Sequence, residues 1–247
     1  MKYMGSKARI AHELLPIILK DRKPNQYYVE PFVGGANMID KVDGLRIGSD
    51  INKYLISLYK ELQNGWIPPR DVTREHYKDV KDNFDKYDLF YIGYVGIACS
   101  YNGIWFTGYA GEVQTKMGLR NYSHEAHKNI SKQKEYLKNI DWYSGSYETL
   151  IYPENSIIYC DIPYIGTAKY TVTADEFNHN LFYIWVRKME LKGHQVFISE
   201  YSAPEDFSCV WEGTVKSSLS GSKKTSTEKL FTLNPRVKLP PKQPNLF

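Results

Sequence analysis

Cysteine is scarce. The three residues Cys99, Cys160 and Cys209 lie far apart and form no CxxC pair. An odd, dispersed set points to free thiols in a reducing compartment, and against a disulfide scaffold or a cysteine zinc site. No apolar run approaches the about 18 residues of a membrane-spanning helix, and the segment Met1 to Lys7 lacks the apolar core of a secretory signal. The expectation is a cytoplasmic protein with no membrane partner and no metal. Charge of one sign is also lacking: the net charge of +4 permits a nucleic-acid partner without announcing one. The chain has no internal repeat and no complete GxGxxG phosphate fingerprint, which disfavours a nicotinamide oxidoreductase. Ser199 lacks the flanking glycines of a nucleophile elbow, which disfavours a hydrolase. His12, His76, His124, His127 and His194 form no partner pattern and are assigned no chemistry. What the chain does have is rings: 15% of it is aromatic, including 21 tyrosines. With 42% hydrophobic and 24% charged residues it reads as an ordinary globular chain, so those rings are either core or contact surface.

Its 247 residues suffice for one large domain or for a domain carrying an insertion. Ser6 is a candidate N-cap before Ile10, Leu14, Ile17 and Ile18, which recur at helical spacing. Tyr27 to Phe32 reads as a strand, followed by Gly34-Gly35 and a short helix near Asn37. Leu45 to Asp50 reads as a second strand, passing into a helix capped near Asn52 that reaches about Leu62. Strand, glycine turn, helix, acid-ended strand and helix make a doubly wound beginning. From Pro68-Pro69 to about Asp141 the pattern changes. Helical patches at 73–84, 89–100 and 123–137 surround a glycine- and aromatic-rich stretch, Tyr101 to Tyr122, that suggests a hairpin. Alternation then resumes with the continuous apolar strand Ser156 to Asp161, a helix over 177–192 and a strand over Gln195 to Ser199. Two late strands, 210–215 and 229–233, predict a closing antiparallel hairpin, and the proline-bearing tail from Leu239 is expected to be extended.

Two strand ends carry possible chemistry, because ligands of open α/β sheets sit beyond the carboxyl ends of the strands. The first is Glu30-Pro31-Phe32-Val33-Gly34-Gly35-Ala36, with Asp50 ending the next strand. Glycines admit close backbone approach, and a strand-end acid suits a ribose diol; a tight turn beside a solvated aspartate accounts for the same residues. Without a phosphate fingerprint the fitting ligand is a phosphate-free nucleoside, such as S-adenosylmethionine. The second end is Asp161-Ile162-Pro163-Tyr164. A carboxylate, a backbone carbonyl and a ring together can hold a planar amine, although the same tetrapeptide also reads as a plain turn.

Taken in order, these motifs resemble the adenine-specific DNA methyltransferases of the Dam type, nearly along the whole chain. Tyr3-Met4-Gly5-Ser6-Lys7 resembles the family's N-terminal cofactor motif, Glu30 to Gly35 its cofactor loop, and Ser49-Asp50-Ile51-Asn52 its ribose-binding strand end. Asp161-Ile162-Pro163-Tyr164 stands where the family has Asp-Pro-Pro-Tyr. Tyr170, Phe177-Asn178-His179 and Phe197 to Tyr201 resemble later segments. The resemblance implies a Rossmann-like α/β sheet that binds S-adenosylmethionine, formed by residues 1–56 and 142–247. It also implies an inserted, mostly helical target-recognition module with a β-hairpin at 57–141, and methylation of a flipped adenine in double-stranded DNA.

By the same resemblance Tyr3, Lys7, Glu30, Pro31, Phe32, Gly34, Gly35, Asp50, Ile51 and Asp161 are expected at the cofactor. Asp161, Ile162, Pro163 and Tyr164 are expected at the reacting amine. Isoleucine in place of proline at 162 keeps the backbone carbonyl that accepts the amine's second hydrogen, so retained chemistry is expected. For DNA, Asn102, Trp105, Phe106, Lys116, Arg120, Lys223 and Lys224 are candidates. A solvated charged face explains the basic residues equally, and an aromatic pair buried in its own module explains Trp105 and Phe106. The hairpin lacks the basic residues with which GATC-specific members read bases, so GATC is not implied as the site. Two alternatives stay open: a DNA-binding relative silenced by Ile162, and an amine methyltransferase acting on RNA or protein. A cognate restriction enzyme is a further open partner.

Overall fold

The two runs that end in Glu30 and Asp161 lie side by side at the centre of one sheet. The computed structural model describes residues 1–115, 118–164, 177–216 and 225–234. Its strands are β1 (Tyr28–Glu30), β2 (Arg46–Asp50), β3 (Glu112–Thr115), β4 (Gly118–Asn121), β5 (Ile140–Ser144), β6 (Ile157–Asp161), β7 (Gln195–Glu200), β8 (Phe207–Lys216) and β9 (Thr225–Leu233). Seven of them form a sheet in the order β5-β2-β1-β6-β7-β9-β8, while β3 and β4 form a separate antiparallel hairpin. The sheet is parallel from β5 to β7, and β9 and β8 close it antiparallel. The doubly wound α/β expectation and the late hairpin both hold.

Alternation sets the two faces. Tyr28, Ile157 and Tyr159 enter one apolar core, and Val29, Ile158 and Cys160 enter the other. Strands covered on both faces read as unbroken apolar runs, which is why β6 is visible in the sequence. Helix α1 (Ala11–Ile18) buries Ala11, Leu14, Leu15 and Ile18. Helix α2 (Lys53–Gln63) begins where the Asn52 side chain accepts from the Tyr54 and Leu55 N–H groups. The middle of the chain supplies α3 (Arg74–Asp82), α4 (Leu89–Gly93), which continues into a π-helical turn at Tyr94–Ala98, and α5 (Tyr122–Lys134). Helix α6 (His179–Leu191), capped by Asn178, covers the second face.

Two features depart from the sequence reading. The helix expected near Asn37 is only a 3-10 turn, Ile39–Lys41, because Val42 is already extended on the way to β2. Strand β5 is additional. Its Ile140 and Trp142 point inward, Asp141 and Tyr143 outward, and it pairs with β2 so that Trp142 lies opposite Gly48. A Cβ on Gly48 would meet the Trp142 ring at 2.4 Å, so only glycine lets that ring lie across β2. As expected, α2 runs to about Leu62, and Val80, Ile92, Tyr94 and Ile130 share one core with Tyr28 and Tyr159. The helical middle and the sheet are therefore packed together.

Candidate active site

The order of the sheet reverses between β1 and β6: from β1 the chain passes to β2 on one side, and β6 lies on the other. This is where an open α/β sheet leaves a crevice. Glu30 ends β1 and is 3% exposed; the Tyr28 hydroxyl donates to its Oε1 at 2.8 Å. Burial pushes the Glu30 carboxyl well above the usual carboxylate range. The turn after it places Gly34 at φ +44, and a Cβ there would lie 2.8 Å from the Tyr3 ring. The glycines thus let the N-terminal segment lie directly on the loop. Asp50, ending β2, accepts from the Gly34 N–H at 3.0 Å and from the Asn52 N–H at 2.9 Å. Burial raises its carboxyl, and those two hydrogen bonds pull it part of the way back.

Asp161 ends β6 in a cluster of charges. Lys7, 6% exposed, brings its Nζ to 2.8 Å from Asp161 Oδ1 and 3.6 Å from Glu228 Oε2, and donates to the Gly5 carbonyl at 3.2 Å. The Tyr164 hydroxyl donates to Glu228 Oε2 at 2.6 Å, and Lys7 Nζ lies 4.8 Å from the Tyr164 ring centre. Tyr201 meets that ring edge-on at 4.7 Å. Burial raises the Asp161 carboxyl, partly offset by Lys7. Burial acts to lower the Lys7 ammonium, but Asp161 and Glu228 overcome it and the net direction is upward. His179 Nε2 lies 2.9 Å from the Pro163 carbonyl and ties α6 to the same loop.

A cavity of about 370 Å³ connects these strand ends, within the range of small-ligand sites. Its wall brings together Tyr3, Lys7, Glu30, Pro31, Phe32, Gly34, Gly35, Asp50, Ile51, Asp161 and Pro163. Ile162 turns away: its side chain is 2% exposed and joins the core under α6. Tyr164 lies against Lys7 and Tyr201 rather than on that wall. The wall also contains Gly145, Ser146, Tyr147 and Glu148 after β5, and Phe177 and Leu181 beside α6. Sequence reasoning missed the first group with β5 itself, although the alternation of Ile140 and Trp142 before Gly145 was a usable signal. Glu228 was also missed, and nothing local in Thr227-Glu228-Lys229 marks it.

The residues expected at DNA are placed unevenly. Asn102 occupies a left-handed turn position, φ 57, and the neighbouring Gly103 approaches the Lys2 carbonyl so closely that a Cβ would stand 2.4 Å from it. That contact seats the turn on the N-terminal segment over the cofactor loop. Trp105 and Phe106 pack against rings of their own chain. Phe106 is 6% exposed among Tyr77, Phe84 and Trp105, and Trp105 stacks on Tyr54 at 5.0 Å, so both rings are used inside the protein. Arg120 is exposed on β4, paired with Glu125 and lying over the Tyr122 ring. Lys116, Tyr170, Lys223, Lys224 and the tail from Leu239 lie outside the described residues. Among the described residues no cluster of His, Cys, Asp and Glu is placed to hold a metal ion, and no helix is long and apolar enough to cross a membrane.

The donor set describes the ligand. Glu30, Asp50, Glu148 and Asp161 line the cavity, and among the described residues Lys7, engaged with Asp161, is the one basic side chain on its wall. Such a lining offers several acceptors, and it suits a cationic, phosphate-free ligand with flat apolar parts against Phe32 and Ile51. S-adenosylmethionine, a sulfonium nucleoside, meets that description.

No curated protein matches the chain. Among solved structures it is similar to a candidate class I S-adenosylmethionine-dependent methyltransferase from Listeria monocytogenes, at 11% identity and a TM-score of 0.38. That similarity covers 95% of this chain and 62% of the other, so the chain spans less than two thirds of that structure's length. The sequence pattern of one family matches residues 3–203, from the aromatic of the N-terminal motif through both strand ends to the residues after β7. The chain belongs to that family, the D12 class N6 adenine-specific DNA methyltransferases.

Proposed function

We propose that the chain transfers a methyl group from S-adenosylmethionine to the exocyclic N6 amine of an adenine swung out of duplex DNA. The observation that carries this reading is the position of Asp161, a strand-end carboxylate on the wall of a cavity also lined by Glu30, Asp50 and Glu148. Residues 57–141 would contact the duplex, through the Asn102 turn and the β3–β4 hairpin bearing Arg120, with Lys116, Lys223 and Lys224 as further phosphate contacts.

Tyr3, Phe32 and Ile51 would hold the adenosine moiety, Asp50 the ribose, and Glu30 the methionine end of the cofactor. Bound there, S-adenosylmethionine supplies a methyl group activated on a sulfonium, whose sulfur keeps the bonding pair when the methyl leaves. The target amine is a poor nucleophile because its lone pair is delocalised into the purine. Asp161 accepts one of its hydrogens and the Ile162 carbonyl the other, which favours a pyramidal nitrogen with its lone pair free. The nitrogen sheds one proton as the new N–C bond forms, and Asp161 is the base beside it. Tyr164 stacks on the base. Catalysis is then positioning plus a carboxylate placed where positive charge develops, and extrusion of the base costs a few kcal/mol of unstacking.

Tritiated S-adenosylmethionine, offered with DNA, RNA and protein, tests the reading. Label should appear in DNA as N6-methyladenine, and Asp161→Ala should abolish it while duplex binding persists. Label in RNA or protein alone, or substantial transfer by Asp161→Ala, would sink it. Cofactor binding without turnover on any DNA would favour the silent relative.

A further inference from the structure

The Lys7–Asp161 pair raises a problem for the proposed chemistry. Asp161 Oδ1 already holds Lys7 at 2.8 Å, and Lys7 is only 6% exposed, so an amine arriving at that oxygen competes with a largely buried ammonium. A buried charge that loses its partner is strongly disfavoured unless another takes over. A second carboxylate stands ready: Glu228 Oε2, on β9, is 3.6 Å from the same Nζ. That oxygen also accepts the Tyr164 hydroxyl at 2.6 Å, and Tyr201 meets the same ring edge-on. One carboxylate therefore reaches both the aromatic ring and the cation beside the reacting carboxylate.

Resting on the function proposed above, we infer that Glu228 is a positioning residue of the methyl-transfer site, which fixes the Tyr164 ring and takes up the Lys7 ammonium when the target amine occupies Asp161. The antiparallel closure of the sheet is what delivers it: β9 lies beside β7, and Glu228 stands opposite Gly213 of β8. Among the described residues, the charged and titratable groups around the pair are Lys7 from the N-terminal segment, Asp161 and Tyr159 from β6, Tyr164 after it, Tyr201 after β7, and Glu30 from β1.

Glu228→Gln removes the charge and nearly keeps the shape. Glu228 raises both the Asp161 carboxyl and the Lys7 ammonium. Both limbs of the kcat–pH profile should therefore move to lower pH in Glu228→Gln, and kcat at the optimum should fall about tenfold or more. Binding of S-adenosylmethionine, measured by calorimetry, should change less than about twofold, since Glu228 is not on the cavity wall. A merely structural role would lower the plateau or the melting temperature without displacing the limbs. As an independent arm, Glu228→Ala and Tyr164→Phe break the same link from either end, so the double variant should lose no more kcat than the worse single one.

An active wild type, with Glu228→Gln matching its rate and limbs or with losses that multiply in the double variant, overturns this role and leaves the methyltransferase reading standing. A wild type that methylates no DNA overturns the reading, and the role with it.

Discussion

On the proposed function the Asp161 carboxylate serves both binding and reaction, so the residue scale is where pH acts. Asp161 must be ionised to accept the amine hydrogen, and burial raises its carboxyl while Lys7 lowers it. Lys7→Met leaves the burial effect unopposed. Its acid limb should therefore move to higher pH, opposite to the shift expected for Glu228→Gln. A kcat–pH profile of Lys7→Met with an unmoved or lowered acid limb would refute the assignment of Asp161 as the titrating group. Glu30 gives a stability counterpart. Its carboxyl is raised well above 4.5, by burial first and by Asp40 and Asp161 after it. Between the unfolded value and that raised value the folded chain holds a proton that the unfolded chain has lost, so stability falls as pH climbs through the window. Glu30→Gln cannot ionise and should flatten that part of the curve. Urea unfolding of both proteins at pH values stepped upward from the usual carboxylate value of 4.5 reads this directly, and parallel slopes would contradict it.

At the scale of elements, strand β2 shows how a missing side chain determines a neighbour's place. Gly48→Ala would push a methyl into the Trp142 ring, against which Tyr59 of α2 also packs at 4.7 Å. Overpacking of this kind costs about 1–3 kcal/mol. Trp142→Phe in the same chain should return part of the loss, and denaturant midpoints of the single and double variants check it. The same pair explains why β5 was hard to read. Its alternation spans only Ile140 to Ser144, and its partner β2 lies far back in the sequence beyond the whole helical middle. By contrast, α2 was legible because Asn52 caps it and Leu55, Leu58 and Leu62 repeat at helical spacing. Strand β6 was legible because burial on both faces leaves a continuous apolar run. Both strand-end motifs were readable for a related reason: turn chemistry and ligand chemistry fall within a few consecutive residues. Trp105 and Phe106 were ambiguous because a ring for stacking and a ring for packing have the same sequence. Glu228 carried no local signal because only tertiary structure brings it to Lys7 and Tyr164, and the 145–148 loop was missed together with the short strand that precedes it.

For the whole molecule, the question is whether recognition and chemistry share one rigid frame. The structure ties them at several points. Gln133 of α5, in the proposed recognition module, donates through Nε2 to the carbonyls of Gly35 and Ala36 at 3.1 and 3.2 Å and to Asp40 Oδ2 at 2.9 Å. Arg46 of β2 donates to the carbonyl of Tyr136 at 3.1 Å and to that of Lys138 at 2.6 Å, just beyond α5. On the far side of the loop, Gly103 seats the Asn102 turn on Lys2 and Tyr3. Duplex engagement that shifts α5 must therefore strain the cofactor loop, and an ordered loop must favour one pose of α5. Such coupling is reciprocal: whatever factor the cofactor adds to DNA affinity, DNA adds to cofactor affinity. Gln133→Ala removes the buried amide that carries it, leaving carbonyls unpaired at a cost of about 1–3 kcal/mol. S-adenosylmethionine binding should weaken about five- to tenfold in this variant. The larger consequence is in the coupling. A non-reactive cofactor analogue should tighten DNA binding by the wild type by about fivefold or more and by Gln133→Ala much less. Fluorescence anisotropy of a labelled duplex with and without the analogue measures both factors, and an undiminished factor in Gln133→Ala would place the coupling elsewhere than in this contact.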